Sequence, residues 1–284
     1  MEKFGLGYED LVKERPDAIV GVISGYGNYG PYRNYLGYGP TTAPLSGLSS
    51  MTGYEGGTPQ EVGISLGDPA AGIATAYLLI AALIARRRTG EGQFIDTSLW
   101  EATASSTAEG WTQKILTGDQ PEPCGNRDPL MAPHNLYRCK GDDDWVAISC
   151  STDEEWRQLA TLLGVDDDKF LTQPSRKAFE DELDAVIEKW TLTKDQWEVT
   201  RLLQANGIAA IPSLDAQLLE TDPHLNDRGF IERLDHPVVG KLAHTGIPWI
   251  ASNSPNGVRT PVSYTHLRAH ETKANLVCRL LLEK

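Results

Sequence analysis

Paired thiols are the first thing this sequence lacks. Its four cysteines, Cys124, Cys139, Cys150 and Cys278, form no Cys-x-x-Cys pair and have no histidine at finger spacing. That excludes a zinc site of the usual kind and leaves reduced thiols, as in a cytoplasmic protein. Positive charge is also scarce: 26 Lys and Arg stand against 39 Asp and Glu, for a net charge of −13. Nucleic acid and anionic membranes are therefore excluded as partners. No secretory signal opens the chain, and the apolar run over residues 70–85 is too short to cross a bilayer comfortably. It reads as a core helix. Ser24, Ser46 and Ser65 lie beside glycines, but none sits in Gly-x-Ser-x-Gly, which weakens a serine hydrolase reading. The acidic clusters at 142–144 and 166–168 lack the alternating ligands, central glycine and closing glutamate of a calcium loop, so they read as solvated turns and no metal is expected. There is no internal repeat and no low-complexity tract.

What is present is ordinary in amount, with 40% hydrophobic and 23% charged residues in a chain long enough for one or two domains. Residues 19–24 are a β-branched run followed by turn residues, as in a buried parallel strand, and 25–38 form a Gly/Tyr-rich loop. A second strand or strand-to-helix junction falls at 95–99, so strand, crossover helix and strand together indicate the α/β class. Residues 117–135, punctuated by Pro and Gly, read as a linker or lid. A hairpin follows at 136–150, turning at 141–144, and opens a smaller α+β domain. Helices are expected there at 154–163, 180–190 and 194–206, the last capped by Gly207, with strands at 208–212 and 229–234.

The stretch Leu66-Gly67-Asp68-Pro69-Ala70-Ala71-Gly72 sets one carboxylate at the mouth of an almost wholly apolar helix. Asp68 reads as the N-cap and Pro69 as the first helical residue, with the helix buried on nearly all sides. Several free backbone N–H groups and the positive helix end would keep that carboxylate ionised and ready as a nucleophile. The plainer reading is a cap and nothing more. Gly25-Tyr26-Gly27-Asn28-Tyr29-Gly30 satisfies the dinucleotide pattern letter for letter, but Pro31 follows at once and no apolar helix does, so NAD is not expected. His134, in Ala-Pro-His-Asn, reads either as a surface residue or as a group that orients an acid.

The order and spacing of several segments carry a resemblance. They are Val22-Ile23-Ser24-Gly25-Tyr26-Gly27-Asn28-Tyr29-Gly30-Pro31, Gly37-Tyr38-Gly39, Leu45-Ser46-Gly47-Leu48, the Asp68 segment, Arg86-Arg87-Arg88-Thr89-Gly90-Glu91-Gly92-Gln93 and Ile95-Asp96-Thr97-Ser98-Leu99. From about Gly5 to Pro261 the chain resembles the family III CoA-transferases. The resemblance implies that Asp68 is the nucleophile and that Tyr38, thirty positions earlier, touches the thioester end of CoA. It also implies that Gly37, Gly39 and Leu99 help to bind CoA. It implies CoA transfer from an acyl-CoA to a carboxylic acid, no permanently bound cofactor and a homodimer of the full-length protein. Family members that are acyl-CoA racemases carry histidine at the position of Tyr38, so transfer is favoured over racemisation. An inactive fragment is the other alternative.

On this resemblance, residues 1–116 are part of an open Rossmann-like domain, 117–135 the linker or lid, 136–234 the small α+β domain and 235–261 a return segment. The upstream portion that carries most CoA contacts in the family is expected to be missing, which would account for the lack of a basic phosphate pocket. Residues 262–284, beginning Val262-Ser263-Tyr264-Thr265-His266-Leu267, look like translated read-through of a sequencing adapter, a non-native tail.

Overall fold

The computed structural model describes residues 4–236, 240–254 and 257–258. The expected tail at 262–284 lies outside them. The fold is mixed α/β. One unit holds the described residues up to Leu136 together with Ile148–Ile187 and Gly207–Ala209.

Its N-terminal part runs α1 (Tyr8–Glu14), β1 (Ile19–Ser24), α2 (Gly39–Leu45), α3 (Leu48–Met51), α4 (Gly67–Thr89), β2 (Gln93–Ser98), α5 (Leu99–Ala104) and α6 (Ala108–Thr117). β1 and β2 pair in parallel, from Ile19 against Gln93 to Ser24 against Ser98. Parallel neighbours need a long crossover, and α4 provides it. The helix lies close on β1 because Gly21 has no side chain: a Cβ there would stand 3.2 Å from Thr75 and from Leu79 of α4. The Thr75 hydroxyl donates to Thr97 of β2 at 2.8 Å, so one α4 flank is bonded to the sheet. Gly90, in the left-handed conformation, ends the helix after Arg86, Arg87 and Arg88.

The other flank corrects the sequence reading. Ala71, Thr75 and Ala82 are buried, but Ile73, Tyr77, Ile80 and Ile84 are exposed. A helix apolar all round carries no periodicity to say which flank meets the sheet, so burial on all sides was over-read. By length and composition α4 could cross a membrane; here it packs on α5, β1, β2 and α2. β1 is likewise half-exposed rather than buried.

The chain continues through β3 (His134–Arg138), β4 (Trp145–Ser149), α7 (Asp153–Leu163), α8 (Gln173–Ala178), α9 (Glu180–Thr191), α10 (Gln196–Ala205) and β5 (Ala209–Ser213), with β3, β4 and β5 forming a sheet in that order. The expected hairpin turn closes with the Cys139 N–H on the Asp144 carbonyl at 2.7 Å. α7 starts with a capping box of Thr152 and Glu155, and α10 starts with Asp195 accepting from the N–H groups of Trp197 and Glu198.

Within the first unit Trp156 and Phe170 meet edge to face at 5.8 Å, over a fully buried Arg176 that donates to the Ala132 and Phe170 carbonyls and to Asp153. The second unit comprises Tyr137–Ala147, Glu188–Asn206 and the described residues from Ala210 on. It buries Tyr137, Val146, Val199 and Leu203. It also contains α11 (Ala216–Thr221), α12 (Pro223–Asp227) and an antiparallel pair, β6 (Ile231–His236) with β7 (Gly240–Thr245).

Candidate active site

In an open α/β arrangement ligands meet the carboxyl ends of the strands. At that edge stand the loop after β1, the start of α2 and the first turn of α4. α4 is anchored there by Gly67. A Cβ at this buried position would lie 2.7 Å from the Thr103 hydroxyl of α5 and 2.9 Å from the Thr42 hydroxyl of α2, so the helix end fits between them only without a side chain.

Asp68 comes next. It is the second helical residue rather than the N-cap, because the helix begins at Gly67 after Leu66. The backbone caps itself here: the Leu66 N–H goes to the Ile64 carbonyl, that of Asp68 to Ser65 and that of Ala70 to Leu66. Pro69 has none. Several free N–H groups were therefore too many to expect, and among the described residues the Gly67 amide is the first-turn donor left over. The Asp68 side chain is exposed and caps nothing. Its Oδ2 lies against Gly39, where a Cβ would come within 2.1 Å of it.

The loop between β1 and α2 is closed at its neck. Gly25 and Gly37 touch backbone to backbone, a Cβ on Gly25 falling 2.8 Å from the Gly37 Cα. The Gly25 carbonyl also accepts from the Trp100 N–H at 3.1 Å. Inside the loop Tyr26 packs edge-on to Tyr32, Tyr35 and Trp100. Asp96 of β2 holds Asn28 through its backbone and side-chain N–H groups, at 2.8 and 2.7 Å. Gly27 and Gly30 have positive φ, 86° and 93°, and the next helix starts only at Gly39, so the glycines serve this loop rather than a dinucleotide turn.

Tyr38, 69% exposed, precedes α2 and donates its N–H to the Thr41 hydroxyl at 2.9 Å. The structure thus brings Gly37, Tyr38, Gly39 and Asp68 to one edge. Leu99 is 7% exposed, and its carbonyl accepts from the Thr103 hydroxyl. Sequence reasoning missed Trp100, noted Ser65 and Asp96 without giving either a place in this site, and quoted Gly67 beside Asp68 without reading its packing between α2 and α5.

Elsewhere, His134 has its Nδ1 2.7 Å from the Asn126 carbonyl. A cavity of about 650 Å³ is lined by Glu55, Glu122, Arg127, Lys177, Glu180 and Asp181 among others. Both its cations are engaged, Arg127 with Asp181 and Asp184 and Lys177 with Glu180. Burial works against the Arg127 charge, but its hydrogen bonds to those two aspartates outweigh it and raise its pKa. So acidic a wall repels phosphates. Among the described residues no cluster of His, Cys, Asp and Glu is arranged to hold a metal. Cys124, Cys139 and Cys150 are free thiols.

Residues 1–262 match the CoA-transferase family III. The chain belongs to that family. It is 32% identical over 264 residues to a succinyl-CoA–D-citramalate CoA-transferase of Chloroflexus aurantiacus, covering 91% of this chain and 65% of that protein. It is 30% identical over 274 residues to a succinate–glutarate CoA-transferase of Agrobacterium fabrum, covering 94% and 65%. The crystal structure of a CAIB/BAIF family protein from Brucella suis superposes with a TM-score of 0.80 at 27% identity, covering 94% of this chain and 71% of that one. The chain thus spans just under two thirds of the length of these two curated relatives.

Proposed function

We propose that the protein transfers CoA from an acyl-CoA to a carboxylic acid, with Asp68 as covalent nucleophile. One observation carries this reading: an exposed carboxylate, free of any capping duty, at the N-terminal end of α4 and against a glycine. The Asp68 carboxylate attacks the donor thioester carbonyl, giving an acyl-aspartyl anhydride and CoA thiolate. The thiolate attacks the aspartyl carbonyl, releasing the donor acid and leaving an aspartyl-CoA thioester. The acceptor carboxylate repeats the sequence in reverse, through a second anhydride, to acceptor acyl-CoA and free Asp68. No proton is gained or lost overall, so a site without a general base suffices. The Gly67 amide, without a partner among the described residues, is assigned to the developing oxyanion charge, and Gly37, Tyr38, Gly39 and Leu99 are assigned to the CoA side. The whole protein is assigned as a cytoplasmic homodimer without a resident cofactor.

The test is incubation with succinyl-CoA followed by hydroxylamine or borohydride and peptide mass spectrometry. Modification at Asp68, lost with transfer activity in Asp68→Ala, is expected. Full transfer by Asp68→Ala would remove the assignment. Solvent exchange of the substrate α-proton at the turnover rate would replace transfer with racemisation.

A further inference from the structure

We infer that Gly39 is a positioning residue for Asp68: the side chain it lacks is the space that the reacting carboxylate occupies. This rests on Asp68 being the nucleophile. A Cβ built on Gly39 falls 2.1 Å from Asp68 Oδ2, 2.4 Å from Ser65 Cβ and 2.9 Å from Ser65 Cα. Contacts under 3 Å are not made by real Cβ atoms, so any larger residue at 39 must move the carboxylate, residue 65 or both.

Backbone strain does not explain this glycine. Gly39 is not among the glycines with positive φ, and alanine would be a better helix former in α2. What the glycine secures is proximity. The Gly39 carbonyl accepts from the Thr42 hydroxyl of its own helix at 3.1 Å, and Thr42 packs on Gly67, the residue before Asp68. Drawing the starts of α2 and α4 apart would open that packing, which costs more than turning a side chain. The carboxylate itself, bonded to nothing among the described residues, is the part that yields, by rotating away.

The test uses Gly39→Ala, the double variant Gly39→Ala/Ser65→Gly, and Asp68→Ala as reference. The double variant removes the Ser65 Cβ contact and leaves the contacts with the carboxylate and with the Cα of residue 65 in place. Displacement of a reacting atom by about 1 Å costs up to about 100-fold in rate. Gly39→Ala is therefore expected to lower kcat by about 100-fold and to slow hydroxylamine-trapped labelling of Asp68 in proportion. In the double variant the thermal midpoint should return toward that of the parent while kcat stays low. Recovery of kcat together with stability would show that crowding at Ser65, not the carboxylate, was responsible, and would overturn the inference. So would labelling at the parent rate in Gly39→Ala. Loss of labelling in Asp68→Ala alongside either result leaves the nucleophile standing; retention of labelling in Asp68→Ala removes the nucleophile itself.

Discussion

The Asp68 side chain bonds to no backbone N–H, so its chemistry and its contribution to stability can be separated. Asp68→Asn keeps the shape and removes the charge. It should cost at most about 1 kcal/mol, the favourable term of an acid in a first helical turn, while transfer falls by about 10⁴-fold or more, as when a covalent nucleophile is deleted. Urea unfolding and a CoA-transfer assay on the same preparation check the pair of numbers. The thiols give a second residue-level contrast. Burial, reinforced by Glu155, pushes Cys150 up to about 12 from a usual 9.0; burial with Asp144 and Asp195 pushes Cys139 up to about 11; Cys124 is exposed. In the native protein at pH 8 iodoacetamide should label Cys124 well ahead of Cys139 and Cys150, read peptide by peptide. The sign for stability follows from the same shifts. Above pH 9 the unfolded thiols ionise while the folded ones stay protonated, so stability is fully present below pH 9 and is lost as pH climbs toward 12.

At the scale of elements, α4 shows how much of a helix composition conceals. Ala71 is fully buried and Ile80 is 59% exposed, although hydrophobicity would rank them the other way. Ala71→Leu should cost about 1–3 kcal/mol by overpacking, and Ile80→Gln less than about 0.5 kcal/mol, both read from denaturant midpoints. What was legible in the sequence is what short-range rules determine. β1 falls on residues 19–24 as read, α7 and α10 lie within a residue or two of the expected 154–163 and 194–206, and the 141–144 turn closes a hairpin. Helices α2 and α3 were illegible. α2 reads Gly-Pro-Thr-Thr-Ala-Pro-Leu, poor helix-forming material held in place by tertiary contacts such as Thr42 against Gly67. The site divides the same way. Asp68 and Tyr38 became candidates through motif and family resemblance, whereas the contact of Gly39 with Asp68 rests on an absent side chain, which leaves no pattern to read.

For the whole molecule, the net charge of −13 and the acidic cavity around Glu180 oppose a polyanion such as CoA. The edge where β1 and β2 end carries Tyr38 and Asp68 instead. That edge owes its shape to the contact between Gly25 and Gly37, and the consequence is one of timing rather than geometry. A segment whose two ends already touch, filled by its own stacked rings, has its closure entropy settled before any ligand arrives. It therefore opens only by local unfolding, not by thermal bending. Chymotrypsin needs an extended stretch of chain around the cut, so Tyr29 and Tyr35, exposed as they are, should be cleaved more slowly than the comparably exposed Tyr54 outside this loop. In Gly37→Ala, where a Cβ would press on the Gly25 Cα at 2.9 Å, the same two tyrosines should become the earliest sites of cleavage, marking a loop that closes and reopens on the timescale of the protease.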